Sequence, residues 1–578
     1  MGIAGIVALV AIVLVGVVTI VIGSLGVRVA RTTDDFLAAS RTVGTRANAA
    51  AISGQYLSAA SFLGIAGIVL KDGVDGLWYP VGFTAGYLAL LFFVAAPLRR
   101  SGAYTVPDFA EVRLDSTLLR TVTTWFVVLI GWLYLLPQLQ AAGLALTVLT
   151  TAPTWVGVVA VGLVVTASVT FGGMRSMTFV QAFQYWLKLT ALAVPALVVL
   201  GVFVLGPTRD AAPAPPVFTD ATTVDVSTPV TLQVGAPVEV GVRGEVDGTR
   251  INGQVSWAPG PHRVDTGTTL RFPAGASVPV VSDADPDQAS WSAPLTGRGE
   301  GHSLLATYSL VLALLLGTMG LPHVLVRFYT NPDGRAARRT TVVVLAMLGG
   351  FYLLPVLLGA LSRFYVPQLL VTGQTDAAVL LIPTAALPGW TGIALAALVA
   401  AGAFAAFLST SSGLLLSVAG VLSTDLLPRR LGDFRIAAHV GGAVPIVAAL
   451  GATRLDFSLT VSLAFALAAS TFCPLLVLGI WWKGLTDRGA VVGMLVGGGL
   501  ATLAVGSTLA GVAPGGWVGV LLARPALVTV PLTFLVMVLV SRSTPQRVPT
   551  NTGRTLLRLH APERLGLGDA RRGTRSSS

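Results

Sequence analysis

Long segments without charge most strongly constrain what this chain can fold into. The first runs from Gly2 to Val27 and contains no charged residue. About 20 apolar residues are enough to cross a bilayer as a helix, and this segment is too long for the apolar core of a signal peptide. Only 11% of all residues are charged, whereas soluble domains average about 25%. We therefore predict a polytopic all-α integral membrane protein.

Apolar segments of this kind predict about thirteen transmembrane helices. After the first, they lie near residues 47–70, 74–97, 118–148, 154–172, 177–206, 303–322, 340–365, 390–424, 436–454, 457–482, 489–512 and 520–541. The net charge of +11 does not indicate nucleic-acid binding, because the arginines lie in short connectors between these segments. The five histidines are scattered and Cys473 is the only cysteine, which argues against a haem or zinc enzyme.

The placement of basic residues predicts the orientation. Every second connector is basic, and the connectors between them are poor in basic residues. By the positive-inside rule, the N-terminus is outside and the C-terminus is cytoplasmic. We expect the protein in a bacterial cell (inner) membrane, with no nucleic acid and no obligate protein partner. The basic connectors include Arg99 and Arg100, then Arg327, Arg335, Arg338 and Arg339, then Arg429, Arg430 and Arg435.

The segment 207–302 differs in character from its surroundings. It contains eleven acidic residues and six arginines, and its stretch VTLQVGAPVEVGVRGEV alternates as exposed strands do. We predict a small extracellular β-rich insertion, with a long disordered loop as the alternative. The tail 542–578 is basic and rich in Gly and Ser, which predicts a disordered cytoplasmic tail.

Two spans combine small and hydroxyl residues within apolar helices. In the second span, Ser53, Gly54, Ser58 and Ser61 suggest either a tight helix crossing or a broken helix whose freed carbonyls bind a cation. In the ninth span, four consecutive hydroxyls occupy Ser409–Ser412. At 100° per residue they cannot all share one face, but a pair that points inward would supply oxygen ligands to a monovalent cation.

These two spans, together with GGMRSMTFVQAFQ (172–184) and WWKGLTDRGAVVGMLVG (481–497), resemble the sodium:solute symporter family. YLSAASFLGI (56–65), DGLWYPVGF (75–83) and GLPHVLVRFYT (320–330), with the Ala468–Pro474 segment, resemble more closely its acetate permease (cation/acetate symporter) branch. The resemblance covers nearly the whole chain except the insertion and the tail.

The resemblance implies a leucine-transporter-like fold of two five-helix inverted repeats. The chain would then divide into 1–206 (N-terminal span plus first repeat), 207–302 (insertion), 303–512 (second repeat), 513–541 (last span) and 542–578 (tail).

The resemblance also implies a sodium site between the second and ninth spans. Carried over by motif, the ligands are the carbonyls of Gly54, Leu57 and Ala406 and the hydroxyls of Ser409 and Thr410. Two positions depart from the pattern. Many family members have Thr-Asp where this chain has Val180-Gln181, and acetate permeases have an acidic residue where Gln55 stands. A single coupling ion is therefore expected, Na⁺ with H⁺ as the alternative.

The substrate would bind near the break in the second span. We expect Tyr56, Ser58 and Ser61 to line this site, with Gln138, which resembles a cavity-facing glutamine of the family. Gln138 could instead make a helix–helix hydrogen bond. Lys188 lies deep in the sixth span, where a charge suggests function unless the side chain snorkels. Gln55, Gln181 and Lys188 are thus candidates for coupling. His323 is either a proton relay or a cap at the inner end of its span.

Together these observations predict a cation-coupled symporter that imports acetate or related short monocarboxylates, and not an enzyme. One alternative is a symporter of the same family for another small solute, such as proline or a sugar. The other is a membrane receptor or sensor that uses the 207–302 insertion to bind its ligand. The tail is short for a signalling domain, which disfavours the receptor.

Overall fold

The protein is mainly helical, with one small sheet between its two helical halves. The computed structural model describes residues 2–27, 44–172, 174–206, 216–282, 284, 288–295, 302–427, 433–451, 457–512 and 515–562. Within these ranges the α-helices of the first half are α1 (Ile3–Val27), α2 (Thr45–Tyr56), α3 (Ile65–Asp72), α4 (Trp78–Phe93), α5 (Ala95–Ser101), α6 (Val106–Leu114), α7 (Thr117–Thr150), α8 (Thr154–Phe171) and α9 (Met174–Leu205).

The second half is also mainly helical. It contains α10 (Gln288–Ser292), α11 (Ser303–Gly320), α12 (Pro322–Leu325), α13 (Gly334–Tyr365), α14 (Leu369–Thr372), α15 (Ala378–Ala386), α16 (Gly389–Val421), α17 (Phe434–Gly451), α18 (Phe457–Trp481), α19 (Asp487–Leu509), α20 (Gly516–Ala523), α21 (Ala526–Ser543) and α22 (Thr552–His560).

Twelve helical stretches of the described chain are long and apolar enough to cross a membrane. One of them, Ala60–Phe93, has 34 residues and joins α3 to α4 through the 3-10 turn Gly73–Leu77. Gly73 has φ of +58°, a conformation that ends the helix and that side chains rarely adopt. Because this stretch contains parts of both the second and the third predicted span, the twelve stretches correspond to the thirteen predicted spans.

The most buried helices lie at the centre of the helical body. Almost every residue of α16 from Leu395 onward is buried, as is most of α18. Helix α16 packs against α9, α7, α1 and α2, whereas α18 packs against α11. Both helices are apolar around their whole circumference, as expected for helices surrounded by other helices. The polar residues within them are therefore the positions where chemistry is expected.

The insertion forms a seven-stranded antiparallel sheet, which confirms the predicted β-rich character. Its strands are β1 (Thr222–Val226), β2 (Val230–Val234), β3 (Val238–Val246), β4 (Thr249–Trp257), β5 (Gly260–Val264), β6 (Thr268–Phe272) and β7 (Val280–Val281). The order is β1-β6-β3-β5-β2-β7, with β4 paired to β3. Val224 lies opposite Leu270, and these alternating apolar side chains form the core of the insertion.

The insertion is anchored to the end of the broken second span. Its apolar core continues into the helical body through Leu70 and Leu370. Trp291 donates its indole N–H to the carbonyl of Val69 (2.9 Å) and to that of Leu70 (3.2 Å). The Arg363 guanidinium lies 4.9 Å from the centre of the Trp291 ring. The insertion therefore supplies a further donor to carbonyls at the C-terminal end of α3, where Gly73 N–H also donates to Val69 O and Arg363 Nη1 to Leu70 O.

We expect Trp291→Ala to lower the thermal stability of the purified protein. The change removes a hydrogen bond of about 1 kcal/mol and a cation–π contact of about 1 kcal/mol. Trp291→Phe retains the ring and should lose about half as much. The control is Trp517→Ala, since Trp517 is 59% exposed. Equal melting temperatures of Trp291→Ala and Trp517→Ala would show that this anchor contributes no stability.

The prediction of a disordered tail is wrong for residues 545–560. A 3-10 turn at Pro545–Arg547 leads into α22, which packs against α5. Leu556 and Leu559 are buried on one face of α22, and His560 Nε2 lies 2.9 Å from the carbonyl of Ile480. A two-turn amphipathic helix gains its stability from such packing rather than from its own propensity. Residues 563–578 lie outside the described part of the chain.

Candidate functional site

The second span is broken, as one of the two interpretations of its sequence predicted. Helix α2 ends at Tyr56, and Leu57 has ψ of 89°, which takes the backbone out of the helix. A π-turn at Ala60–Gly64 and α3 then continue the span. The carbonyls of Gly54, Gln55 and Leu57 accept hydrogen bonds from side chains of other helices. Freed carbonyls of this kind can bind a cation inside a membrane protein.

The four hydroxyls of α16 divide between its faces, as the helical period requires. Ser409 Oγ donates to the carbonyl of Gly54 (2.7 Å), and Thr410 Oγ1 donates to that of Gln55 (2.8 Å). Ser412 Oγ bonds back to Leu408 O (2.6 Å), and Ser411 Oγ is buried with no partner in the structure. Ser409 and Thr410 are thus the inward-pointing pair at the break.

Contacts connect four of the five atoms expected as sodium ligands, whereas the fifth, Thr410 Oγ1, donates to the neighbouring carbonyl of Gln55. Gly54 O accepts from Ser409 Oγ, which also lies 3.1 Å from Ala406 O. Leu57 O lies on the far side of the break. All five residues are fully buried or nearly so. The contacts between α2 and α16 thus lie at the residues for which the sodium site was predicted, and the site itself stays a prediction.

A cationic side chain already binds to this group of oxygens. Lys188 Nζ lies 2.8 Å from Leu57 O and 2.8 Å from Ser409 Oγ, and it also donates to Gly54 O. Three of the five expected ligands therefore hold the Lys188 ammonium. Lys188 Nζ occupies the position among these oxygens that a sodium ion would take, so the site as built does not fit sodium. Lys188 does not snorkel, since its side chain is 0% exposed.

The glutamines at the two departures from the family pattern bind a second buried cation. Arg327 donates from Nε to Gln55 Oε1 (2.9 Å) and from Nη2 to Gln181 Oε1. Gln55 in turn donates to His323 O (2.8 Å), and Gln181 donates to Ser409 O (3.1 Å). Arg327 thereby connects the break in the second span to α9 and α16.

Arg327 is the functional candidate that the sequence prediction missed. It was assigned to a basic connector, but it lies in the 3-10 turn Val326–Thr330 and is 0% exposed. The assignment failed because a connector arginine and a buried one look alike in an arginine count. Its neighbours in the sequence would have identified it as a candidate buried arginine, because HVLVRFY contains no other formally charged residue at neutral pH.

Two of the predicted substrate residues leave polar atoms unpartnered beside the break. Gln138 Oε1 accepts from the backbone N–H of Ala59 (2.9 Å), but its Nε2 has no partner in the structure. Ser58 Oγ likewise has no partner that meets hydrogen-bond geometry, although Tyr134 lies beside it. Both residues are buried. Unsatisfied buried donors are rare in proteins, and these two lie at the N-terminal end of a half-helix, where anions bind well.

The other two predicted substrate residues are engaged with neighbouring helices. Tyr56 OH lies 3.0 Å from Thr318 Oγ1, and Ser61 Oγ lies 3.1 Å from Tyr352 OH. The Tyr56 ring packs edge-on against Tyr87, with ring centres 4.7 Å apart. Tyr56, Tyr87 and Tyr352 thus place three aromatic rings near the break.

His323 lies close to the same region. Its ring packs edge-on against Tyr134, with ring centres 5.4 Å apart, and neither ring nitrogen has a partner in the structure. It is the second residue of the short helix α12, which begins at Pro322 after the break at Leu321. The geometry therefore places His323 near Gln55, whose side chain binds its carbonyl, and the relay role stays a prediction.

An ion cluster connects the C-terminal end of α16 to α6 and α7. Arg120 Nη2 lies 2.7 Å from Asp425 Oδ1 and 2.9 Å from Asp108 Oδ1, and Nη1 contacts Glu111. Burial raises the pKa of the Asp108 carboxyl, although the charge of Arg120 acts in the opposite direction. Opening the protein between these helices would break these ion pairs.

Comparison with known proteins decides the family. The sodium:solute symporter family matches residues 36–228 and 281–497, well over half of the chain. The chain belongs to the sodium:solute symporter family. It is 29% identical over 539 residues to the uncharacterized symporter YwcA of Bacillus subtilis, covering 89% of this chain and 90% of that protein. It is 30% identical over 533 residues to a monocarboxylic acid transporter of Corynebacterium glutamicum, covering 88% and 86%.

Solved structures show that the fold is shared more widely than the sequence. A Na⁺-coupled sialic acid symporter in a substrate-bound outward-open state matches with a TM-score of 0.64 at 14% identity, covering 93% of this chain and 97% of that one. Mhp1, a nucleobase-cation-symport-1 family transporter in a closed conformation, matches with a TM-score of 0.52 at 12% identity, covering 91% and 99%. These matches confirm the predicted leucine-transporter-like fold. This symporter is therefore a multi-pass membrane transporter of small solutes.

Proposed function

We propose that this symporter imports short monocarboxylates such as acetate, driven by a coupled cation. The observation that carries the proposal is the pair of buried, unpartnered groups at the half-helix N-terminus, Gln138 Nε2 and Ser58 Oγ. A carboxylate has two oxygens that accept from such donors, and the half-helix dipole favours a negative charge at the same place. The similarity to a monocarboxylic acid transporter supports the same substrate class.

The coupling ion and the orientation belong to the proposal as well. Sodium is the ion after which the family is named, and the sequence also leaves the proton open. The contacts of Lys188 favour the proton, for the reasons given in the next subsection. We place the protein in a bacterial cell membrane with the insertion outside, following the distribution of arginines.

Exchange transport tests the substrate class without any assumption about the ion. Purified protein in liposomes loaded with unlabelled acetate should take up labelled acetate, and external propionate and pyruvate should compete. Liposomes without protein give the rate at which acetic acid crosses the lipid itself. Competition by proline but not by propionate or pyruvate would instead support the alternative of another small solute.

We expect Gln138→Leu to raise the KM for acetate at least about tenfold, because a hydrogen bond to a charged group contributes about 1.5–3 kcal/mol. The control is Gln140→Leu, two residues along the same helix and therefore on a different face. The measurement is the concentration dependence of exchange. An unchanged KM in Gln138→Leu would place the carboxylate elsewhere.

A further inference from the structure

The contacts of Lys188 constitute a complete binding site for one ammonium group. A lysine ammonium has three N–H donors and no acceptor. The structure provides three oxygen atoms for them, on Gly54, Leu57 and Ser409. The Ser409 hydroxyl donates its own hydrogen toward Gly54 O, so its lone pairs face Nζ. Every N–H of the charged form is therefore matched by an oxygen.

Within the described part of the chain, no carboxylate contacts Lys188. It lies on α9, which packs against α1, α2, α13, α15 and α16. Described residues of α1, α15 and α16 carry no charge, and the only charged residue of α2 is Arg46. Helix α13 contacts α9 through Met347, whose carbonyl lies near Tyr185. The arginines of α13 lie at least eight residues from Met347 in the sequence. Asp376, just before α15, lies instead beside Gly64 and Gly67. Arg327 is connected to Lys188 through Gln181 and Ser409.

The Lys188 ammonium is held only by neutral oxygens, so no counter-charge prevents the release of its proton. Burying a charge without a counter-charge is costly, so the bound form depends on all three oxygens being in place. When the break in the second span separates from α16, the ammonium loses those acceptors and meets water, where its proton has an acceptor. The occupancy of this site is thereby linked to the conformation of the transporter.

We propose that the Lys188 ammonium takes the place of the coupling sodium ion and that a proton carried on Lys188 drives transport. This inference rests on the proposed function and adds the identity of its ion. One carboxylate and one proton enter together: Lys188 takes up a proton from outside, the loaded protein closes and reopens inward, and the proton leaves to the cytoplasm with the substrate. The net charge moved is zero.

Ion gradients imposed separately on proteoliposomes test the proposal in the wild-type protein. An inward proton gradient of about one pH unit should drive about tenfold accumulation of labelled pyruvate, because one proton enters with each carboxylate. Clamping the membrane potential should change nothing, because no net charge crosses. Replacing sodium by choline should change the rate less than about twofold, because an ion without a site shifts no equilibrium.

The outcomes separate the two proposals. Absence of exchange with every monocarboxylate would overturn the proposed function itself. Monocarboxylate uptake that is accelerated by a sodium gradient, or that requires sodium, would leave the proposed function intact. It would overturn only the assignment of the proton as the coupling ion.

Lys188→Ala tests the site directly. Uptake by the variant should no longer be accelerated by the pH gradient. Its melting temperature should be higher in sodium chloride than in choline chloride, because the freed oxygens can now bind sodium. Wild type and the exposed control Lys483→Ala should show no sodium effect. Retained pH-driven accumulation in Lys188→Ala, or sodium-dependent stabilisation of the wild type, would overturn the proposal. If Lys188→Ala does not fold, the wild-type gradient and melting experiments decide alone.

Discussion

Replacing Arg327 with glutamine is expected to lower uptake at least about 100-fold. The guanidinium holds Gln55, Gln181 and Thr178 at once, through bonds of 2.9 Å to Gln55 Oε1 and 2.8 Å to Thr178 Oγ1 and a third to Gln181 Oε1. Hydrogen bonds from a charged donor contribute about 1.5–3 kcal/mol each, and loss of two corresponds to about 100-fold or more. The measurement is the initial rate of exchange.

Arg327→Lys separates the positioning role of Arg327 from its charge. A lysine retains the positive charge near the substrate, but its single ammonium cannot reproduce the fork that reaches both glutamines. We therefore expect Arg327→Lys to remain at least about tenfold below wild type. Arg338→Gln removes the same charge from an exposed position of α13 and should leave the rate unchanged.

The thermal stability of Arg327→Gln should change less than its rate. The variant loses hydrogen bonds, but it also removes the free-energy cost of burying a charge, and these two effects oppose each other. Full activity in Arg327→Lys would show that charge alone matters. Full activity in Arg327→Gln would show that the connection from Gln55 to Gln181 is not needed for transport.

The transmembrane helices could be predicted because their signal is local. Apolar segments report directly on contact with lipid and with other helices. The alternation in 230–246 likewise predicted strands β2 and β3. The tail helix α22 could not be predicted in this way, because Thr552–His560 is short and polar and its order comes from contact with α5 and Ile480.

The site was predicted in part, for a related reason. Small residues and adjacent hydroxyls identified the break and the Ser409–Thr410 pair, and a charge deep in an apolar helix made Lys188 a candidate. The partners of Lys188 could not be predicted, because Gly54 and Ser409 lie more than 100 residues from it on either side. No local sequence pattern predicts which oxygens contact a buried ammonium.

Arg327 shows the limit of counting charges. Its neighbours in sequence are apolar, but the polar groups that satisfy it come from α2 and α9. A guanidinium can be buried only if such partners exist, so its location depends on the tertiary structure. The glutamines at 55 and 181 were noted as lost carboxylates, whereas the structure shows them as the acceptors of this arginine.

The second large effect is expected for Gly54→Ala, which should lower uptake at least about tenfold and reduce the melting temperature. A Cβ on Gly54 would lie 2.2 Å from the carbonyl oxygen of Gln181 and 3.3 Å from Tyr185 Cβ. The first contact is with backbone, so α2 and α9 must separate. Overpacking of this kind costs about 1–3 kcal/mol. It would also displace Lys188, which is on α9, from Gly54 O and Leu57 O on the break.

Two further glycines make the expected effect graded. Gly413→Ala should reduce the melting temperature less than Gly54→Ala, because its Cβ would meet the Gln55 side chain at 2.2 Å, and a side chain can shift where a carbonyl of a helix cannot. It should still lower uptake, because that shift would disturb the bonds of Gln55 to Arg327 and to His323 O. Gly350→Ala, with nothing within 4 Å, should leave uptake unchanged and raise stability by up to about 1 kcal/mol through helix propensity. Equal uptake in all three variants would mean that close approach of α2 to α9 is not required, and the contact of Lys188 with the break would then lose its role in coupling.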